Sequence, residues 1–327
     1  MKKCVLISTV LVLALVVGQM GCFFFVKLPA FGERIELSER YLDKAKGTKD
    51  KIVMIALSGI ITSSSSRGTF SSEANMVEEL AMQLEKASKD EHVKGVIISV
   101  NSPGGGVTGS EIIFHKITKF KKEKSVPVVI LMGDVAASGA YYVSMAGDKI
   151  IAHPSTITGS IGVISMFFNL EGLMGKIGVE VVTLKTGEMK DVGSFARPMK
   201  EEERAYIMSI LNDLYEIFLD RVLSNRTTLS RDKLLELADG RIYTAKQALE
   251  AKLIDQIGFF EDAVSAVKQA GRISAASVVG YEWPWNHKYD VYSMMAPGRP
   301  IDINLLKLDI DALDSFARPG FYYIWAE

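Results

Sequence analysis

Three aliphatic runs constrain this chain more than any other feature: "KIVMIAL" (51–57), "VKGVIISV" (93–100) and "VPVVILMG" (126–133). A strand with one wet face alternates apolar and polar residues. Near-continuous runs of this length, rich in Val and Ile, are strands covered on both faces. Helical patterns lie between them. Met76, Val77, Leu80, Ala81 and Leu84 share one face, and residues 109–124 turn Ile113, Ile117 and Phe120 inward before a lysine-rich end. Strands alternating with helices imply an α/β fold around a mostly parallel sheet. Further strands are expected in "KIIAHPSTITGSIGVIS" and "VEVVTLK". The second half reads as mainly helical, with a long helix from about Met199 to Ser224.

The ends read differently. "MKK" followed by an uncharged run from Val5 to Val26 is a targeting segment (1–27), since about 20 apolar residues span a bilayer as a helix. The positive start favours a cytoplasmic N-terminus with the globular part outside. Two readings stand side by side: an uncleaved anchor, or a lipoprotein signal ending at Gly21-Cys22, from which Gln19 departs by replacing the usual aliphatic residue. Residues 28–50 are charged and aperiodic and read as a linker. A C-terminal extension, 271–327, holds "WPW", "MMAPGRP" and "FARPGFYYIW" without a sustained period, and is expected to wrap the core or meet a partner.

Composition narrows the chemistry. Across 327 residues the net charge is −1, and no basic patch with interleaved aromatics occurs, which argues against nucleic-acid binding. Both cysteines fall within the first 22 residues, leaving no disulfide framework, thiolate metal site or cysteine nucleophile beyond them. The four histidines have no metal-ligand spacing, and no metal or other cofactor is expected.

Acyl-transfer chemistry needs a nucleophile, a base and donors for an oxyanion. In "AASGAYY", Ser138 sits among small residues at a predicted helix start after a strand. The G-x-S-x-G elbow is absent, because Ala136 and Thr158 stand two residues before Ser138 and Ser160. "NSPGGGV" lets backbone N–H groups approach a ligand closely, so Gly105 is a candidate oxyanion donor, against the plain alternative of a tight turn. Gly139, at a helix N-terminus, is a second candidate. His115 and His153 are poorly placed as bases. A desolvated lysine amine can do that work near neutral pH, and "LKTGEMKD" offers both Lys185 and Lys190, between which spacing does not choose.

Together "VNSPGGGV", "AASGAYY", "STITGSIGVI", "KTGEMKD" and "GRIYTAKQALEAKLIDQIG" resemble the short form of the signal peptide peptidase A (SppA) family, from about Lys51 to about Ala270. The resemblance implies a ClpP/crotonase-like superhelix of β-β-α units with a helical second half, forming a Ser-Lys peptidase domain over 51–270. It further implies Ser138 as nucleophile, Lys190 as general base, Ser160 as the serine orienting the lysine, and Gly105 and Gly139 as oxyanion-hole donors. Ala140 stands where many members carry glycine. The family also implies apolar peptide substrates, attachment to a bacterial cell membrane with the catalytic domain on the extracytoplasmic side, and a homo-oligomer whose sites are shared between protomers. Two other functions are compatible with such a fold: a crotonase-type acyl-thioester enzyme and a non-catalytic membrane scaffold.

Overall fold

The computed structural model describes residues 37–63, 75–283 and 321–325. The expected targeting segment, 1–27, and most of the polar loop 63–72 lie outside these. Among the described residues, no helix is long and apolar enough to cross a membrane.

The three aliphatic runs are neighbouring parallel strands: β2 (Lys51–Ser58), β3 (Val93–Ser102) and β5 (Val128–Ala137). The reason is visible in how their side chains divide. Val53, Ile55, Val96, Ile98, Ile130 and Met132 enter the larger core, while Ile52, Met54, Ile97, Val129 and Leu131 face the other way. The larger core packs under α1 (Met76–Lys89) and α2 (Val107–Lys124). Helix α8 (Phe260–Gly271) covers the opposite face with Phe260, Ala263, Val264 and Val267. Covering both faces removes the need for polar alternation, which is why the sequence shows none.

The sheet extends to nine strands in the order β1-β10-β2-β3-β5-β6-β9, with β7 pairing β5 and β8 pairing β7. Here β1 is Ser38–Asp43, β6 Lys149–Ala152, β7 Ile157–Gly159, β8 Ile242–Thr244, β9 Gln256–Ile257 and β10 Ser277–Glu282. Strand β5 forks. Its first half, Val129–Met132, pairs with β6 and its end, Val135–Ala137, with β7. Splitting neighbours at that point opens the sheet where the nucleophile candidate follows.

Three expectations are corrected. The supposed linker 28–50 contributes β1, which runs antiparallel to β10 at the sheet edge. Part of the supposed extension 271–327 is β10, fully buried between β1 and β2. An edge strand and a strand recruited from more than 200 residues away leave no local periodicity to read. "VEVVTLK" (179–185) is not a strand: it pairs with no described residue as a ladder, and Val182 and Leu184 are 76% and 94% exposed. Small helices α3 (Gly139–Ser144), α4 (Glu171–Lys176), α6 (Arg231–Leu237) and α7 (Ala245–Glu250) surround the long α5 (Glu201–Asn225), which realises the helix expected near 199–224.

Candidate active site

Ser138 joins the end of β5 to α3. It occupies φ 53°, ψ −116°, a conformation that costs a residue with a Cβ about 1–3 kcal/mol. Two bonds fix it there: its N–H donates to the Gly159 carbonyl at 2.7 Å, and its carbonyl accepts from the Tyr142 N–H at 2.8 Å. The residue is buried, yet its Oγ has no hydrogen-bond partner. A buried hydroxyl without a partner is costly, so backbone strain and side-chain desolvation fall on the same residue.

Five non-glycine residues among those described have positive φ. Ser125 and Arg272 close helices α2 and α8, and Lys252 follows α7. The other two are Ser138 and Ser160, the latter at φ 51°. Ser160 is buried next to Gly159, and its N–H donates to the Arg241 carbonyl at 2.8 Å. The β5–β7 pairing therefore brings the backbone of Ser160 beside that of Ser138.

The glycines complete the turn. Gly104–Gly106 form the short strand β4. A Cβ on Gly105 would lie 2.1 Å from the Ile61 carbonyl oxygen, so no larger residue fits. A Cβ built on Gly139 would lie 3.2 Å from the Gly105 nitrogen, which places the two candidate donors side by side. Ser138, Gly139, Gly105 and Ser160 are thus gathered at one place.

A strand already lies there. β11 (Tyr322–Ile324) pairs antiparallel with β4, setting Tyr322 opposite Gly106, Tyr323 opposite Gly105 and Ile324 opposite Gly104. On its other side Tyr322 exchanges two 3.0 Å backbone bonds with Ile164, and Trp325 donates to the Pro103 carbonyl at 2.8 Å. The Tyr323 carbonyl oxygen would be 2.2 Å and 2.9 Å from a Cβ on Gly104 and Gly139 respectively, which sets it against the glycine cluster. The Tyr323 ring is fully buried, stacked on Tyr142 (centroids 5.2 Å) and tilted against Phe218 (4.8 Å), and its hydroxyl donates to the Leu214 carbonyl at 2.7 Å. Tyr142 is itself held by Glu111 and Arg221 through its hydroxyl. Burial, and then the Glu111 carboxylate, push that phenol well above its usual range.

Lys190 sits in a 3-10 turn, Glu188–Asp191, with an exposed side chain that makes no hydrogen bond or ion pair among the described residues. Within the single chain its amine does not hydrogen-bond the Ser138 hydroxyl, which has no partner. Lys185, the other candidate, is engaged: its Nζ lies 2.9 Å from Asp191 Oδ1 and donates to the Glu188 carbonyl at 2.9 Å. The bond to Asp191 raises the Lys185 ammonium above its ordinary value.

Sequence reasoning did not place Tyr322–Ile324 in the site, nor the Tyr142–Phe218 pocket that receives Tyr323. The aromatic cluster "FYYIW" was the available signal, but a three-residue strand has no period. His153 stacks edge-on to Phe259 (5.3 Å) and lies outside this cluster; burial lowers its affinity for a proton.

Comparison with known proteins identifies the family. Residues 120–274 match the model of Peptidase family S49, and residues 58–158 match that of Clp protease. The chain is 38% identical over 247 residues to the SppA-type protein of Enterococcus faecium, covering 76% of this chain and 71% of that one. It is 33% identical to the chloroplastic serine protease SPPA of Arabidopsis thaliana, over 69% of this chain and 33% of that one. Protease 4 of Haemophilus influenzae is 32% identical, over 76% and 43%. The chain spans less than half of these last two proteins. On this similarity the chain belongs to peptidase family S49, with the SppA and protease 4 proteins, and is a serine peptidase.

Proposed function

We propose that this serine peptidase hydrolyses apolar, signal-peptide-like segments with a Ser138–Lys190 dyad, working at the extracytoplasmic face of a bacterial membrane to which residues 1–27 attach it. The observation that carries the reading is the seat of β11: an extended peptide pairs with β4 and presents a backbone carbonyl to Gly105 and Gly139, beside a buried, unpartnered serine hydroxyl. A substrate bound in the same way would add a strand to β4 and place alternate side chains in pockets.

In this mechanism the neutral Lys190 amine takes the Ser138 proton as Oγ attacks the scissile carbonyl carbon. The N–H groups of Gly105 and Gly139 hold the resulting oxyanion. Collapse breaks the C–N bond, Lys190 returns the proton to the leaving amine, and water then hydrolyses the acyl-enzyme. Ser160, set beside Ser138 by the β5–β7 pairing, orients the lysine. Apolar substrates suit the pocket, which is lined by the rings of Tyr142 and Phe218.

The position of Lys190 supports a site shared between copies. Its side chain is exposed, and the segment around it shows Phe168, Leu173, Ile177, Val182 and Leu184 to solvent, each more than half exposed. Large apolar side chains exposed in such number on one segment fit an interaction surface. A second copy of this chain is the partner that would cover it, bringing Lys190 of one protomer to Ser138 of the next.

The test is turnover of an apolar fluorogenic peptide together with labelling by a fluorophosphonate probe. Wild type should turn over the peptide and label, Ser138→Ala should do neither, and Lys190→Ala should lose turnover. Retained hydrolysis in Ser138→Ala, or full activity in Lys190→Ala, would overturn the assignment.

A further inference from the structure

We propose that Arg197 is a positioning residue for Lys190, acting through Asp191 to hold the turn that presents the amine. The inference rests on the reading of Lys190 as general base, and it starts from a group of charges that the reaction itself does not use.

The Arg197 guanidinium grips Asp191 by both carboxylate oxygens, from Nε at 2.9 Å and from Nη2 at 2.8 Å, and Nη2 also donates to the Asp191 carbonyl at 3.2 Å. Its Nη1 donates to Glu203 Oε2 at 2.9 Å. Glu203 is buried and accepts from the Lys200 N–H at 2.9 Å, so it is part of the cap of α5. That helix is anchored in the core by Phe218, Leu219 and Val222. The connection runs unbroken from core to α5, Glu203, Arg197 and Asp191, and Asp191 is covalently next to Lys190.

The turn is fixed from its other side too. Lys185 reaches Asp191 Oδ1, and the Lys190 N–H donates to the Gly187 carbonyl at 3.1 Å. Gly193, at φ +76°, lies against the Phe167 ring so closely that a Cβ would meet it at 2.4 Å. A bidentate guanidinium–carboxylate pair sets direction as well as distance. The Lys190 side chain can therefore be free while its backbone is held, which is what a base delivered to a neighbouring protomer requires.

The charges also balance. Lys185 and Arg197 offset Asp191 and Glu203, while Glu188 lies 3.5 Å from Lys185 and 3.4 Å from Lys200. Arg197 first, and then Lys185, hold the Asp191 carboxyl far below the usual carboxylate range. Arg197 and the Lys200 N–H hold Glu203 at about 2. Both acids remain charged and occupied throughout the working range. Without Arg197, a less compensated carboxylate would stand one residue from the amine and favour its protonated, inactive form.

The experiment uses the full chain in detergent, with kcat and KM for an apolar peptide measured from pH 6 to 10. Arg197→Gln should lower kcat about tenfold or more with little change in KM, and should move the half-maximal pH of kcat upward by roughly half a unit. Arg197→Gln/Asp191→Asn should return that midpoint while kcat stays low, and Arg197→Lys should recover part of kcat. A role in stability alone would lower the melting temperature without moving the midpoint. If Arg197→Gln fails to fold, Asp191→Ala removes both side-chain acceptors that Arg197 grips and must itself lower kcat; wild-type kcat in that variant overturns the proposal. Lys190→Ala, run in parallel, separates the two readings. Loss of activity there, with wild-type kcat and midpoint in Arg197→Gln, overturns only the role of Arg197, whereas full activity in Lys190→Ala overturns both.

Discussion

At Ser138 the chain accepts a local cost that the fold imposes. The residue is held at positive φ by bonds to Gly159 and Tyr142, and its hydroxyl is buried without a partner. Glycine meets no Cβ penalty in that conformation. Ser138→Gly and Ser138→Ala should both be inactive, yet Ser138→Gly should be the more stable of the two by about 1 kcal/mol, within the range such strain stores. Chemical denaturation of the two variants measures this difference. Equal stability would mean that the strain is relieved in solution. The sequence showed the serine and its small neighbours, but not the strain, because backbone conformation there depends on Gly159, which arrives from another strand.

Elements divide into those written locally and those written across the chain. β2, β3 and β5 were legible because covering both faces leaves a continuous aliphatic run, and α2 and α5 because their apolar spacing or length is unmistakable. β1 and β10 were not, since each is defined by a partner more than 200 residues away. Residues 179–185 have the composition of a strand but no ladder to join. The glycine turn was legible as a place of close backbone approach; the strand that pairs with it, β11, was not. Ending the chain after Gly320 should empty the groove and raise kcat/KM several-fold toward short peptides. The melting temperature should fall at the same time, because the Tyr323 ring no longer packs on Tyr142 and Phe218. Unchanged peptide turnover in the truncated protein would show that β11 does not compete with substrate. A separate clasp ties β1 and α1 to β2, where Lys51 Nζ lies 2.9 Å from both Glu39 and Asp90. Burial would raise the Asp90 carboxyl, but the Lys51 and His92 hydrogen bonds outweigh it and depress it. A depressed carboxylate stabilises the fold above its unfolded value, near 3.9, and loses that contribution as pH falls through the folded value. Asp90→Asn should therefore melt below wild type at pH 7, with the gap narrowing toward pH 3. A gap independent of pH would point to lost packing instead.

At the scale of the whole molecule, the residues of the proposed site fall into two groups. Ser138, Gly139, Gly105 and Ser160 are gathered at the glycine turn beside β11, while Lys190 is exposed on a segment braced by Arg197. On the proposed reading, a second copy would bring Lys190 of one protomer to Ser138 of the next and cover the exposed apolar side chains around it. The most direct test mixes two inactive proteins, Ser138→Ala and Lys190→Ala, under conditions where subunit exchange is verified. Shared sites predict that peptidase activity returns to a substantial fraction of wild type, since some interfaces then pair an intact Ser138 with an intact Lys190. No recovery in verified mixed assemblies, or full activity in a wild-type monomer, would contradict the account.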